Sequence, residues 1–161
     1  MKHPNFNQSN LSNDIALLKL NGAVDLNQYF QIACLPTNKP ITYPNLDQPG
    51  YIASWSYDLD VGESIPKTYF LVLENNKCNS LSSQVSKNWT TQFCAGTNST
   101  INCAKNLKGG ALYSLETING KQKHVLTGLI SGPVCNKSNK YSLFTRITAY
   151  LDWINEYTKE L

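Results

Sequence analysis

Apolar and polar positions divide the chain into short runs separated by turn residues. Residues 1–13 are polar and asparagine-rich, so they read as loop. "DIALLKL" (14–20) is a compact apolar run that predicts a buried strand. Residues 21–50 hold four prolines among turn signals and predict an extended connector lying over a surface. Five short β-type runs follow: "YIASW" (51–55), "KTYFLVLEN" (67–75), "GALYSLET" (110–117), "KHVLTGLIS" (123–131) and "YSLFTRI" (141–147). Asn119-Gly120, between two of them, predicts a tight hairpin. Only the end has helical spacing: Tyr150, Leu151, Ile154, Tyr157 and Leu161 share one face, and Thr148 is placed to cap the start. The pattern predicts an all-β sandwich or barrel closed by a C-terminal helix over 148–161.

The cysteines sharpen this picture. There are five, Cys34, Cys78, Cys94, Cys103 and Cys135, and no two have CxxC spacing. His3 and His124 are the only histidines, so no metal site and no cofactor are expected. Wide, irregular spacing fits disulfides in an oxidising compartment, and the odd count leaves at least one thiol free or bonded to an outside partner. Asn-x-Ser/Thr sequons at Asn7, Asn10, Asn88, Asn98 and Asn136 are a small excess over chance for a chain with 19 asparagines. They are candidate N-glycosylation sites.

Charge and composition mostly exclude. The net charge of +3 comes from scattered lysines with no coherent basic stripe, so nucleic acid is not an expected partner. No apolar run is long enough to span a membrane, and the first ten residues lack the apolar stretch of a signal peptide. Asp58 and Asp60 lie in a turn-rich loop and read as solvated charge. The 161 residues suit one domain with a real core.

Several stretches, taken in order, resemble the trypsin/chymotrypsin-like serine peptidases. "HPNF" with "NDIALLKL" is similar to the segment that carries the triad aspartate. "ACLP" resembles the linker between that family's two barrels. "WS" (55–56), "NNKCNS", "FCAG", "CAKNLKGGAL", "GLISGPVC", "LFTRI" and "YLDWI" follow in family order. The resemblance implies a trypsin-like double barrel with a complete C-terminal barrel and only the last strand or strands of the first. Residues 1–35 would be the first-barrel remnant and linker, 36–147 the second barrel, and 148–161 the helix. It also implies disulfides Cys78–Cys94 and Cys103–Cys135, and an unpaired Cys34, whose family counterpart often bonds an upstream segment. A third family bridge would join the positions of Tyr51 and Ser114, and neither is cysteine here.

The same resemblance exposes what the chemistry lacks. These peptidases use a serine nucleophile, a histidine base and an aspartate that holds the imidazole. Asp14 matches the aspartate. The histidine has no match: in the family it lies well upstream of the aspartate, His3 in "HPNF" matches a non-catalytic position, and His124 falls in a second-barrel strand. Counting back from Gly109-Gly110, the serine position is Lys108; counting forward from Cys103, it is Leu107. Neither has a hydroxyl, and a useful lysine nucleophile must be neutral. Ile101 matches the floor of the specificity pocket, Ser131 a residue that supports the aspartate and lines the pocket, and Gly132-Pro133 an edge that pairs with substrate backbone. Pro133 removes one donor from that edge. The expectation is a secreted, non-catalytic homologue that binds a protein partner, with an exposed first-barrel edge offering a second route of association. A truncated relic without activity is the alternative, and an active endopeptidase the third.

Overall fold

A computed structural model describes residues 1–53, 65, 67–81, 83–97, 109–132 and 140–159. Six strands close a barrel: β1 (Pro49–Ala53), β2 (Lys67–Leu73), β3 (Gln92–Gly96), β4 (Ala111–Ile118), β5 (Lys121–Ile130) and β6 (Tyr141–Arg146). Their order around it is β1-β2-β3-β6-β5-β4, and every pair is antiparallel. The all-β barrel followed by a short C-terminal helix is the architecture predicted.

Alternation explains the strands that the sequence makes plain. In β2, Thr68, Phe70 and Val72 point inward while Lys67, Tyr69 and Leu71 face out. The β4–β5 hairpin turns on Asn119 (φ 51°) and Gly120 (φ 71°), the left-handed pair that a two-residue hairpin needs. Inside the barrel, Ile52, Phe70, Val72, Phe93, Ala95, Leu112, Ile130 and Phe144 form one core cluster. Phe93 stacks on Phe144 at 5.3 Å and Phe70 meets Phe144 edge-on at 5.4 Å. Gly128 lets β5 approach this stack: a Cβ there would lie 2.7 Å from the Phe93 ring.

β3 is a strand that the periodicity does not announce. All five of its residues are buried, so there is no polar face to read. Phe93 and Ala95 point into the core, while Cys94 points outward under a 3₁₀ turn, Asn75–Ser80. That turn is fastened by the Cys78–Cys94 disulfide and packed with Leu81 and Leu143.

Two expectations fail. "DIALLKL" is not a strand. Among the described residues Ala16 bridges only Lys2, and Leu18 and Leu20 are 90% and 64% exposed. An extended segment with a single bridge has no ladder to hold it. Ile15 alone of this run is fully buried, packed with Ile147, Tyr150, Trp153 and Ile154. The helix is also shorter than predicted. A 3₁₀ turn, Ile147–Tyr150, precedes α1 (Leu151–Thr158), whose N-cap is Tyr150 without a side-chain cap bond. Thr148 does not cap it, because its hydroxyl donates to the carbonyls of Ile41 and Tyr43, both at 3.0 Å.

Those bonds belong to a clamp on the connector. The buried Arg146 guanidinium donates to the carbonyls of Thr42 (2.5 Å), Tyr43 (3.0 Å) and Gln92 (3.0 Å). Burial pushes its pKa down. On the other side, Tyr43 donates its hydroxyl to Glu116, which also pairs with Lys39 at 2.5 Å. Cys34 joins the barrel through a parallel bridge to Val125.

Candidate active site

The site is assembled where the end of β5 meets residues 13–14. Beyond β5 the backbone is held on both flanks. The Gly109 amide donates to the Ile130 carbonyl at 2.8 Å, and the Ile130 amide donates to Gly110 at 3.0 Å. The Ser131 and Gly132 amides both donate to the Leu143 carbonyl, at 3.0 and 3.1 Å. A Cβ on Gly132 would meet Leu143 Cβ at 2.7 Å, so the glycine is what allows this approach. Gly109 takes φ +76°, a conformation that suits glycine and little else.

Asp14 is brought onto this strip. Ser131 donates its hydroxyl to Asp14 Oδ2 at 2.9 Å, and Thr145 donates its own to the Asp14 carbonyl at 2.9 Å. Asn13, immediately before, adopts φ 53°, which asparagine tolerates better than most residues. Its Oδ1 accepts the Tyr150 hydroxyl at 3.0 Å and its Nδ2 donates to the Asn5 carbonyl at 2.9 Å. Burial pushes the Tyr150 phenol up, and the negative charge of nearby Asp14 adds to that. The Asp14 carboxylate and carbonyl are thus held from two segments, and Asn13 beside them from a third.

Sequence reasoning found Asp14 and Ser131 and missed Asn13, Thr145 and Tyr150. An Asn-Asp pair before an apolar run is the one local signal for Asn13. Thr145 and Tyr150 are separated from Asp14 by more than the length of the barrel and leave no such trace.

The two histidines make other contacts. His3 packs edge-on to Tyr150 at 5.4 Å and against Trp153 at 5.0 Å, and its Nδ1 accepts the Asn5 amide. His124 Nδ1 is 2.9 Å from the Tyr51 hydroxyl on the barrel's outer wall. Ser114, predicted beside Tyr51, donates its hydroxyl to the Pro49 carbonyl across the β1–β4 seam. Cys78 and Cys94 are bonded, and Cys34 is a half-buried free thiol. Ile101, Cys103, Leu107, Lys108, Pro133, Cys135, Asn98 and Asn136 lie outside the described residues, as do Asp58 and Asp60.

Comparison with known proteins identifies the family. A family model described as Trypsin matches residues 1–154. Chymotrypsin-like elastase family member 1 of Rattus norvegicus is 35% identical over 161 residues, covering 96% of this chain and 59% of the relative. The Homo sapiens protein of the same name is 34% identical over 159 residues, covering 95% and 60%. Chymotrypsin-C of Rattus norvegicus is 31% identical over 157 residues, covering 96% and 58%. The chain therefore spans about three-fifths of the length of these relatives. With the family match over nearly all of its residues and an Asp14–Ser131 pair on a closed six-stranded barrel, the chain belongs to the trypsin family of serine peptidases.

Proposed function

We propose that this protein is a non-catalytic member of its family, a secreted scaffold that binds another protein. One observation carries the reading: in "CAKNLKGGAL" no serine precedes Gly109-Gly110, and the candidates for that position are Lys108 and Leu107. Loss of the serine costs about 10⁶-fold in turnover, and the triad members act as a unit. His124 bonds Tyr51 on the barrel wall, and the His3 ring, packed on Tyr150 and Trp153, has its Nδ1 on the Asn5 amide, which fits a site where the aspartate no longer orients a base. Ile101 and Pro133, which match the family's pocket floor and substrate-pairing edge, fit the same reading.

The extracellular assignment draws support from the Cys78–Cys94 disulfide. Binding of a protein draws support from the segment after Asp14. Leu18, Leu20, Val24, Leu26, Tyr29, Phe30 and Ile32 are all exposed there, a run of large apolar side chains that fits contact with another polypeptide. The test is labelling of the native protein with a fluorophosphonate, which reacts with activated serines, alongside hydrolysis of a broad peptide library. The expected result is neither labelling nor turnover. Clear labelling, or hydrolysis abolished by Asp14→Ala, overturns the reading.

A further inference from the structure

Three sequons fall within the described residues, and two loops carry them. Asn7 and Asn10 lie in the loop before Asp14; Asn88 lies in the loop before β3. The Ser86 amide donates to the Asn10 carbonyl at 2.6 Å and ties the loops together. Both lead to the same place. The Arg146 amide donates to the Thr91 carbonyl, three residues beyond Asn88. The Tyr150 hydroxyl bonds Asn13, three residues beyond Asn10 and next to Asp14. The two sequon loops thus touch each other, and each runs on within a few residues to a segment bonded near the Asp14–Ser131 pair.

A glycan is added to an unfolded or folding chain, so a sequon suits the native structure only where its asparagine faces water. Asn7 and Asn88 are exposed; Asn10 is half-buried. Asn7 Oδ1 accepts the Ser9 amide at 2.9 Å. Asn88 Oδ1 accepts both the Thr90 amide (3.1 Å) and the Thr90 hydroxyl (2.6 Å). In each case the oxygen of the side-chain amide is turned back to the chain, on a residue that is otherwise exposed. The Asn88 backbone is fixed as well: its amide donates to Gln92 Oε1, and its carbonyl accepts from Thr91 and Gln92. Asn10 has its oxygen bonded to the Ser12 amide and its carbonyl covered by Ser86, against the neighbouring loop.

We propose that Asn7 and Asn88 carry N-linked glycans, that Asn10 does not, and that these sugars clothe the two loops near Asp14 and Ser131. This rests on the extracellular reading above for the native protein, but the site assignment is tested separately from it. The full chain is expressed in a eukaryotic host behind a cleavable secretion leader, so entry to the glycosylating compartment is imposed. Peptides are then deglycosylated enzymatically in heavy-oxygen water and mapped by mass spectrometry. The expected result is the isotope tag at Asn7 and Asn88 and none at Asn10. Asn88→Gln and Thr90→Ala each remove one glycan by gel shift; Thr90→Ala keeps the bond from the residue-90 amide to Asn88 Oδ1, so a folding defect in the first variant does not obscure the answer. An untagged Asn7 or Asn88, or a tag at Asn10, overturns the assignment. Native protein without sugar, beside leader-borne protein tagged at Asn7 and Asn88, refutes the extracellular reading and upholds the site assignment.

Discussion

On the proposed non-catalytic reading, Asp14 should act on stability instead of turnover, and a double-mutant cycle with Ser131 measures this. Ser131 is 2% exposed and its hydroxyl is 2.9 Å from Asp14 Oδ2. A hydrogen bond to a charged group contributes about 1.5–3 kcal/mol. Asp14 is only half-buried, so Ser131→Ala should fall near the low end, about 1.5 kcal/mol. Asp14→Ala should cost about 2 kcal/mol, because it also strands a buried hydroxyl. The double variant should cost less than their sum, by roughly 1 kcal/mol of coupling. In a chain of this size, each kcal/mol moves the melting temperature by about 2–4 °C. Urea unfolding followed by tryptophan fluorescence reads the effect, since one of the three tryptophans, Trp153, packs with Ile15 in the cluster that these residues anchor. Glu156→Ala, on an exposed position of α1 beyond its first turn, is the control and should change little. A cycle that closes to within about 0.3 kcal/mol would refute the coupling and with it the structural role argued for Asp14.

Replacing both Cys78 and Cys94 with alanine should destabilise by roughly 3 kcal/mol, since the bridge closes a loop of 16 residues, and chemical unfolding checks it. Gly128→Ala should cost about 1–3 kcal/mol by driving a methyl into the Phe93 ring, whereas Gly22→Ala, with nothing within 4 Å, should not destabilise; paired thermal melts decide. Glu116 has its pKa raised by burial but lowered more by the hydrogen bonds from Lys39 and Tyr43, for a net lowering. Its stabilising contribution is therefore complete above the ordinary carboxylate range and is lost as pH falls through the lowered value. Glu116→Gln should flatten that acid limb of the stability profile, and an unchanged limb would show that the clamp contributes nothing.

The strands legible in the sequence are those with one wet face. β2 alternates because Lys67, Tyr69 and Leu71 face outward, and the β4–β5 hairpin is marked by Asn119-Gly120. β3 leaves no alternation because a disulfide-bonded 3₁₀ turn covers its outer face. "DIALLKL" misleads for the opposite reason: its composition suits a buried strand, but among the described residues no ladder receives it. Thr148 looks like a cap from its place before an amphipathic run, yet its hydroxyl is taken by the connector. Of the candidate site, Asp14 and Ser131 were legible through resemblance. The contacts of Asn13, Thr145 and Tyr150 were not, because they depend on how distant segments close on one another.

On the proposed non-catalytic reading, Asp14 is kept because its contacts also serve the fold. Its carboxylate satisfies a buried serine, its carbonyl satisfies Thr145, and Asn13 beside it satisfies the buried Tyr150 hydroxyl. Removing it leaves at least one buried polar group without a partner, a cost of about 1–3 kcal/mol against a total stability of roughly 5–15 kcal/mol. A nucleophilic serine has a different position: its hydroxyl is presented to substrate and base, so its loss costs turnover far more than stability. On the proposed reading, relaxed selection for chemistry removes the serine first and keeps the aspartate. The presence of Asp14 is therefore weak evidence for activity, while the absence of a serine before Gly109-Gly110 is strong evidence against it.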